Sequence, residues 1–191
     1  PITRLRLRAE MVDDEGLRTR IQSDLDAMQG LVKEGLAYAR SLDERSTAQP
    51  IELGPLLQAL ADDARDMGWT VRVPEDAQGR VVGNPSALRR ALWNLVENGV
   101  KFGGEVELAL ACAGEHCEIR VRDHGPGLAE DELEKVFEPF YRTEASRNRE
   151  TGGTGLGLAI TRNLVHAQGG DIALRNHPEG GLEAVLRLRA R

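Results

Sequence analysis

Residues 88–102 read LRRALWNLVENGVKF, and the segment carries two stripes at once. Leu88, Leu92, Leu95 and Val96 recur at helical spacing and predict a core-facing side. Asn94, Asn98 and Lys101 stand at i, i+4 and i+7. At 100° per residue they fall within about 60° of one another, on a separate face. The plain alternative is a solvated polar face, but such faces are normally written in Glu, Lys and Arg. Two asparagines and Gly99 in a helix interior sacrifice propensity, and a site would offset that cost. Carboxamide oxygens ligate a hard cation such as Mg²⁺. An ammonium one turn on meets a phosphate, and Phe102 is placed to lie against a base.

Outward from this helix the texture alternates. Asn84-Pro85 supplies an N-cap and a proline at the first helical position, so the helix starts there and runs to about 102. Upstream, IEL predicts a short strand, 54–67 an amphipathic helix, and TVRVP and RVVG strands bounded by Pro and Gly. Downstream, EVELALACA and CEIRVRD alternate as paired strands. Residues 156–168 predict another helix, and DIALRN and LEAVLRLRA close the sheet. The expected class is α+β, with helices on one face of a mostly antiparallel sheet. Residues 128–153 show little regular pattern apart from a short helix over EDELEKVF. A loop of that length inside a compact domain points to a functional lid.

Two further stretches carry chemistry. Asp123 ends a strand and is followed by Gly125 and Gly127, which permit close approach of a ligand. A fixed carboxylate there accepts from the exocyclic amine of adenine; an ordinary Asp-x-Gly turn is the bland alternative. TGGTGLGLAIT (151–161) leads into a helix whose first amides lack intrahelical acceptors. With the helix dipole they form an anion site that needs no lysine of its own. No Lys-Ser or Lys-Thr comes after it, so this is not a P-loop. The G-x-G-x-x-G spacing and a leading strand are also missing, which excludes a Rossmann fingerprint. Lys101 and Mg²⁺ would then come from the other helix. Arg142, Arg147 and Arg149 on the lid are candidates for the terminal phosphate, and Arg142 is the one carried forward.

The chain has 191 residues, 40% hydrophobic and 29% charged, with a formal net charge of −6. That charge argues against nucleic acid and anionic membranes as partners. Cys112 and Cys117 flank a turn; two free thiols in a reducing compartment are expected, with a cross-strand disulfide as the alternative. His116 beside Cys117 lacks further ligands at zinc spacing. Residues 1 to about 42 read as helix, turn, helix. Leu17, Ile21, Leu25, Met28, Val32 and Ala39 form an apolar stripe in the second helix. Some forty residues are too few for a core, so the hairpin either pairs with a second copy as a four-helix bundle or packs on its own domain; the first is preferred. SLDERSTAQP (41–50) is the expected linker. The start at Pro1, inside a helix, reads as a fragment of a longer protein.

N-x-x-x-N-x-x-K-F, D-x-G-x-G, VFEPFYR (136–142) and G-x-G-x-G occur in one order. In this order they resemble the catalytic, ATP-binding domain of bacterial sensor histidine kinases of the osmosensor type, in the superfamily shared with gyrase B, Hsp90 and MutL. The resemblance covers about 51–191. The N box corresponds to Asn94, Asn98, Lys101 and Phe102, and the first G box to Asp123, Gly125 and Gly127. The F box corresponds to Phe137 and Phe140, and the second G box to Gly153, Thr154, Gly155, Leu156 and Gly157. The resemblance implies a two-layer α/β sandwich of the Bergerat type over 46–191, preceded by a dimerisation hairpin over 1–45. It implies Mg·ATP under a mobile lid, with Asp123 on adenine and Asn98 and Asn94 on the metal. Lys101 and Arg142 would act with Asn94 in catalysis. It also implies a homodimer, a response-regulator partner, and the cytoplasmic portion of an inner-membrane sensor. PITRLRLRAE resembles the segment on the C-terminal side of the family's phosphoacceptor box, which places the acceptor histidine upstream of residue 1. His116, His124, His166 and His177 are all outside that context. An ATPase clamp of the superfamily carries Glu where Asn94 stands, and an amide cannot act as a base. An anti-sigma-type serine kinase and an inactive nucleotide-binding scaffold are the remaining alternatives.

Overall fold

The computed structural model describes residues 2–41, 48–143 and 153–190. The chain opens with the expected hairpin, α1 (Ile2–Glu10) and α2 (Glu15–Ser41). Ala9 on α1 and Leu25 on α2 are buried, whereas Leu17, Met28 and Val32 of the apolar stripe, and Leu36 beside it in sequence, remain exposed. Next come β1 (Gln49–Glu52), α3 (Leu53–Asp66), β2 (Thr70–Arg72), β3 (Arg80–Gly83), α4 (Pro85–Gly103), β4 (Glu105–Ala113) and β5 (His116–Asp123). Among the described residues, a 3₁₀ turn (Lys135–Phe137), α5 (Gly157–His166), β6 (Asp171–Asn176) and β7 (Leu182–Arg189) follow.

Five strands form one sheet in the order β2-β4-β5-β7-β6. Only β2 and β4 are parallel; the other neighbours are antiparallel. β1 and β3 make a separate antiparallel pair. Helices α3, α4 and α5 cover one face. On β5 the alternation is regular, with Cys117, Ile119, Val121 and Asp123 turned into the core. The opposite face is charged: Arg72 on β2 pairs with Glu105 and Glu107 on β4. Leu88, Leu92, Leu95 and Val96 of α4 sit in the core as their spacing requires. The Asn84 side chain accepts from the Ser86 and Ala87 amides, at 2.9 and 3.1 Å, so this helix is capped as its sequence indicates. Among the described residues no helix is long and apolar enough to cross a membrane.

Two expectations are corrected. The short helix over EDELEKVF is absent: turns lead into that 3₁₀ turn, whose Val136 and Phe137 are buried. Eight residues, five of them charged, offer too little apolar face to sustain an α-helix there. Cys112 and Cys117 are not free thiols but a disulfide. They are direct cross-strand partners in the β4–β5 ladder, and their Cα atoms lie 4.0 Å apart, within bridging reach. The alternation argument placed both residues on strands, but register sets them opposite one another, and spacing alone did not give that register.

Candidate functional site

The Asn94–Lys101 face of α4, the end of β5 and the start of α5 enclose a cavity of about 630 Å³. Asn94, Asn98, Lys101 and Phe102 line it from α4. Asp123 and Gly127 line it from the end of β5, and Gly153, Thr154, Gly155 and Gly157 from the approach to α5. Arg142 also faces the cavity. Arg147 and Arg149 lie outside the described residues. Two candidates are placed elsewhere. Leu156 is fully buried in the core, and Gly125 acts on the site through its neighbour.

Asp123 is 8% exposed and held from two directions. Its Oδ1 accepts from the Gly125 amide at 2.8 Å and from the Leu182 amide at 3.1 Å. With Oδ1 committed to backbone, Oδ2 is the oxygen offered to a ligand. The second donor depends on the turn before β7. Gly180 and Gly181 have φ of 95° and 91°, a region open to glycine. A Cβ on Gly181 would also stand 1.9 Å from the Asp123 carbonyl oxygen. Asn176 on β6 clamps the next stretch. Its Nδ2 donates to the Leu128 carbonyl at 2.8 Å, and its Oδ1 accepts from the Leu128 amide at 2.9 Å. The sequence reading missed Gly181, Leu182 and Asn176, because they are distant in sequence and serve the site through backbone contacts.

Asn94 donates through Nδ2 to the Gly157 carbonyl at 3.3 Å and to Thr161 Oγ1 at 3.4 Å. This assignment spends its donor side on α5 and directs its oxygen away from α5. Lys101 Nζ stands 5.3 Å from the centre of the Phe102 ring, and a Cβ on Gly153 would come within 3.1 Å of it. Any residue but glycine at 153 therefore crowds the ammonium. Burial, reinforced by the Arg142 charge, holds the Lys101 pKa below its usual value; Glu97 and Glu34 pull it back. Glu97 lines the cavity, although its offset from Asn94 on the helix suggested a position to one side.

The F-box segment is tied to the glycine segment. The Phe140 amide donates to the Gly155 carbonyl at 3.0 Å. Phe140 adopts φ 65°, and Gly155 φ 76°. A Cβ on Gly155 would lie 2.7 Å from the Tyr141 carbonyl oxygen, so only glycine fits this approach. Phe137 is anchored beneath the Arg162 guanidinium of α5, 3.6 Å from the ring centre.

The residues present suit a magnesium nucleotide. One pinned carboxylate offers an acceptor to a base, two carboxamides offer oxygens to a hard cation, and three cations, Arg90, Lys101 and Arg142, and a glycine-lined helix start face the same space. Among the described residues no cluster of three His, Cys, Asp or Glu offers an alternative metal site.

The chain is 39% identical over 188 residues to the sensor histidine kinase GtrS of Pseudomonas aeruginosa, covering 98% of this chain and 39% of that protein. It is 31% identical over 200 residues to the sensor histidine kinase CpxA of Escherichia coli K12, covering 98% of this chain and 44% of that protein. It thus spans about two-fifths of the length of these curated relatives. Among solved structures, full-length ShkA in complex with AMPPNP superposes with a TM-score of 0.75 at 26% identity, over 94% of this chain and 39% of that one. The ATP-binding domain of PrrB from Mycobacterium tuberculosis gives 0.64 at 31% identity, over 76% of this chain and 99% of that one. The two-layer sandwich is of the Bergerat type found in these ATP-binding domains. Residues 83–191 match the model of the histidine kinase-, DNA gyrase B- and HSP90-like ATPases, and the chain belongs to that family.

Proposed function

We propose that this chain is the Mg·ATP-binding catalytic part of a sensor histidine kinase, which passes the γ-phosphoryl group to a histidine and then to an aspartate of a response regulator. The carrying observation is the convergence of Asp123, Asn98, Lys101 and the Gly153–Gly157 segment on one cavity. In this reading Asp123 Oδ2 accepts from the adenine amine. Phe102 lies against the base. Lys101, Arg142 and the amides entering α5 neutralise the phosphates. Asn98 and Asn94 would hold Mg²⁺, whose contribution is charge compensation on the triphosphate. The protein's part is positioning and charge stabilisation. The γ-phosphorus–bridging oxygen bond breaks, a nitrogen–phosphorus bond forms on the acceptor imidazole, and ADP leaves with the bond's electron pair.

Asn94 supports phosphotransfer over ATP hydrolysis. Its amide is not a base, and its donor side is bonded to α5. A hydrolytic reading would fall to Glu97, the remaining carboxylate of this helix on the cavity. We further propose that residues 1–45 are a dimerisation hairpin pairing with a second copy through its exposed apolar stripe, and 46–191 the catalytic domain. By the same reading the chain is the cytoplasmic portion of an inner-membrane sensor, as the naming of its relatives as sensor kinases suggests. The hairpin contains no histidine; all four histidines lie at or beyond position 116. The chain should therefore not label itself. The test mixes it with a relative's hairpin that carries a phosphoacceptor histidine but no nucleotide pocket, in Mg·ATP labelled at the γ-phosphate. Acid-labile label on the added histidine is expected. Label on this chain, or free phosphate with the acceptor unlabelled, would overturn the reading.

A further inference from the structure

The hairpin reaches into the phosphate end of the cavity. Glu34, on α2, lines the same space as Lys101, Arg142 and Thr154. Its carboxylate accepts a hydrogen bond from Thr154 Oγ1, 120 residues away in sequence. The contact belongs to a docked helix face. Ala37 and Tyr38 pack against the core of the sandwich. Ser41 is 2% exposed, and its Oγ accepts from Asn163 Nδ2 of α5 at 3.2 Å. Glu34, Ala37, Tyr38 and Ser41 stand at i, i+3, i+4 and i+7, so one stripe of α2 makes all four contacts. Three of its positions dock by packing or a neutral hydrogen bond. The fourth adds a negative charge to a space also lined by Arg90, Lys101, Arg142, Glu97 and the glycine-rich approach to α5.

A carboxylate there satisfies what a phosphate would satisfy. Thr154 Oγ1 spends its proton on Glu34 while accepting from the Leu156 amide at 3.3 Å. Bringing a terminal phosphate to the same side chains sets like charges against each other in a partly enclosed cavity, where screening is weak. A diphosphate ends one group earlier and leaves that end unclaimed.

We propose that Glu34 stands in for the terminal phosphate when the hairpin is docked, so that α2 docking and γ-phosphate binding exclude each other. ATP releases this face of α2; ADP leaves it seated. The proposal rests on the nucleotide reading above. Because coupling is reciprocal, docking of α2 weakens triphosphate binding by the same factor by which the triphosphate weakens docking, so weakening the Glu34 contact strengthens triphosphate binding.

The test is calorimetry with Mg·AMPPNP and Mg·ADP on the unaltered chain and on Glu34→Gln, which keeps the shape and the acceptor oxygen but removes the charge. AMPPNP affinity should rise about fivefold or more, within the usual range for site coupling, and ADP affinity by less than about twofold. A second variant tests docking itself. Ser41→Cys with Asn163→Cys, oxidised, fixes α2 on α5 using residues outside the cavity. Relative to each single variant, the lock should weaken AMPPNP while sparing ADP, and Glu34→Gln in the locked background should restore AMPPNP binding. Equal changes for both nucleotides, or none, would overturn the proposal while leaving nucleotide binding intact. Failure of both nucleotides to bind any variant would overturn the nucleotide reading and this proposal together.

Discussion

Replacing Asp123 by asparagine separates recognition from folding. Oδ1 accepts from two backbone amides, Gly125 at 2.8 Å and Leu182 at 3.1 Å. An asparagine oxygen can take that place, so these part-buried donors stay satisfied and stability should change by less than about 1 kcal/mol. Its NH₂ must then face the ligand, because turning it inward would set donor against donor. The proposed acceptor for the adenine amine becomes a donor. A hydrogen bond to a charged group contributes about 1.5–3 kcal/mol, and each 1.4 kcal/mol is tenfold in affinity. Binding of ATP should therefore weaken by roughly 10- to 150-fold with the denaturation midpoint held. Asp123→Ala is the contrast: it removes the acceptor of two part-buried amides, at up to about 1–3 kcal/mol each, and should cost stability as well. The assay pairs calorimetric ATP titration with urea denaturation for both variants. Unchanged ATP affinity in Asp123→Asn, with the fold intact, would refute the assignment of Oδ2 to the base.

Asn98→Ala should remove the Mg²⁺-dependent part of ATP affinity and leave the denaturation midpoint in place; titrations with and without Mg²⁺ that match the unaltered chain would remove Asn98 from the metal. Lys101→Met should weaken ATP binding yet raise the midpoint of the unliganded chain. The folded pKa of Lys101 lies below its ordinary 10.5, chiefly through burial, so protonation favours the unfolded chain. That penalty is in full force below the folded pKa and vanishes as pH passes 10.5; the gap between variant and unaltered chain should close over that window in denaturation midpoints measured against pH. Gly99→Ala should destabilise, although helix propensity alone predicts a gain of about 1 kcal/mol. The new Cβ would lie 2.5 Å from Val106 Cγ2, on a stiff β-branched residue in the sheet. Overpacking of that kind costs about 1–3 kcal/mol, and a midpoint above the unaltered chain's would refute the argument.

The parts of the fold written in local pattern were legible. The Asn84 cap, the alternation on β5 and the core stripe of α4 each arise from a few neighbouring residues. So did the idea that helix 88–102 bears an unexplained cost at Asn94, Asn98 and Gly99. The structure divides that cost between two causes. Asn94 and Asn98 face the cavity. Gly99 is a packing residue that lets α4 approach β4, with Gly103 approaching the Asp123–Gly125 backbone in the same way. Propensity arithmetic cannot separate these, because both register as a poor helix former in a helix. What stayed illegible depends on tertiary register: the pairing of Cys112 with Cys117, the Asn176 clamp on Leu128, and Glu34 in the cavity. Glu34 reads locally as one more charge on a solvated helix face, and only the docking of α2 gives it a role.

The two ends of the cavity are built by different means. At the base end, Asp123 is held by amides from two chain segments, and the stretch after Gly127 is clamped by both polar atoms of Asn176. These are side-chain contacts to backbone within the sheet and its turns, and breaking them would orphan part-buried polar groups. At the phosphate end, one docking contact runs from the Thr154 hydroxyl to a carboxylate on a separate helix. Exchanging that partner for a phosphate oxygen orphans nothing, because one anionic acceptor replaces another. On the proposed reading, base binding draws on a site already formed. Phosphate binding would exchange one arrangement of the chain for another, which would make that end the place where nucleotide state is read by the hairpin.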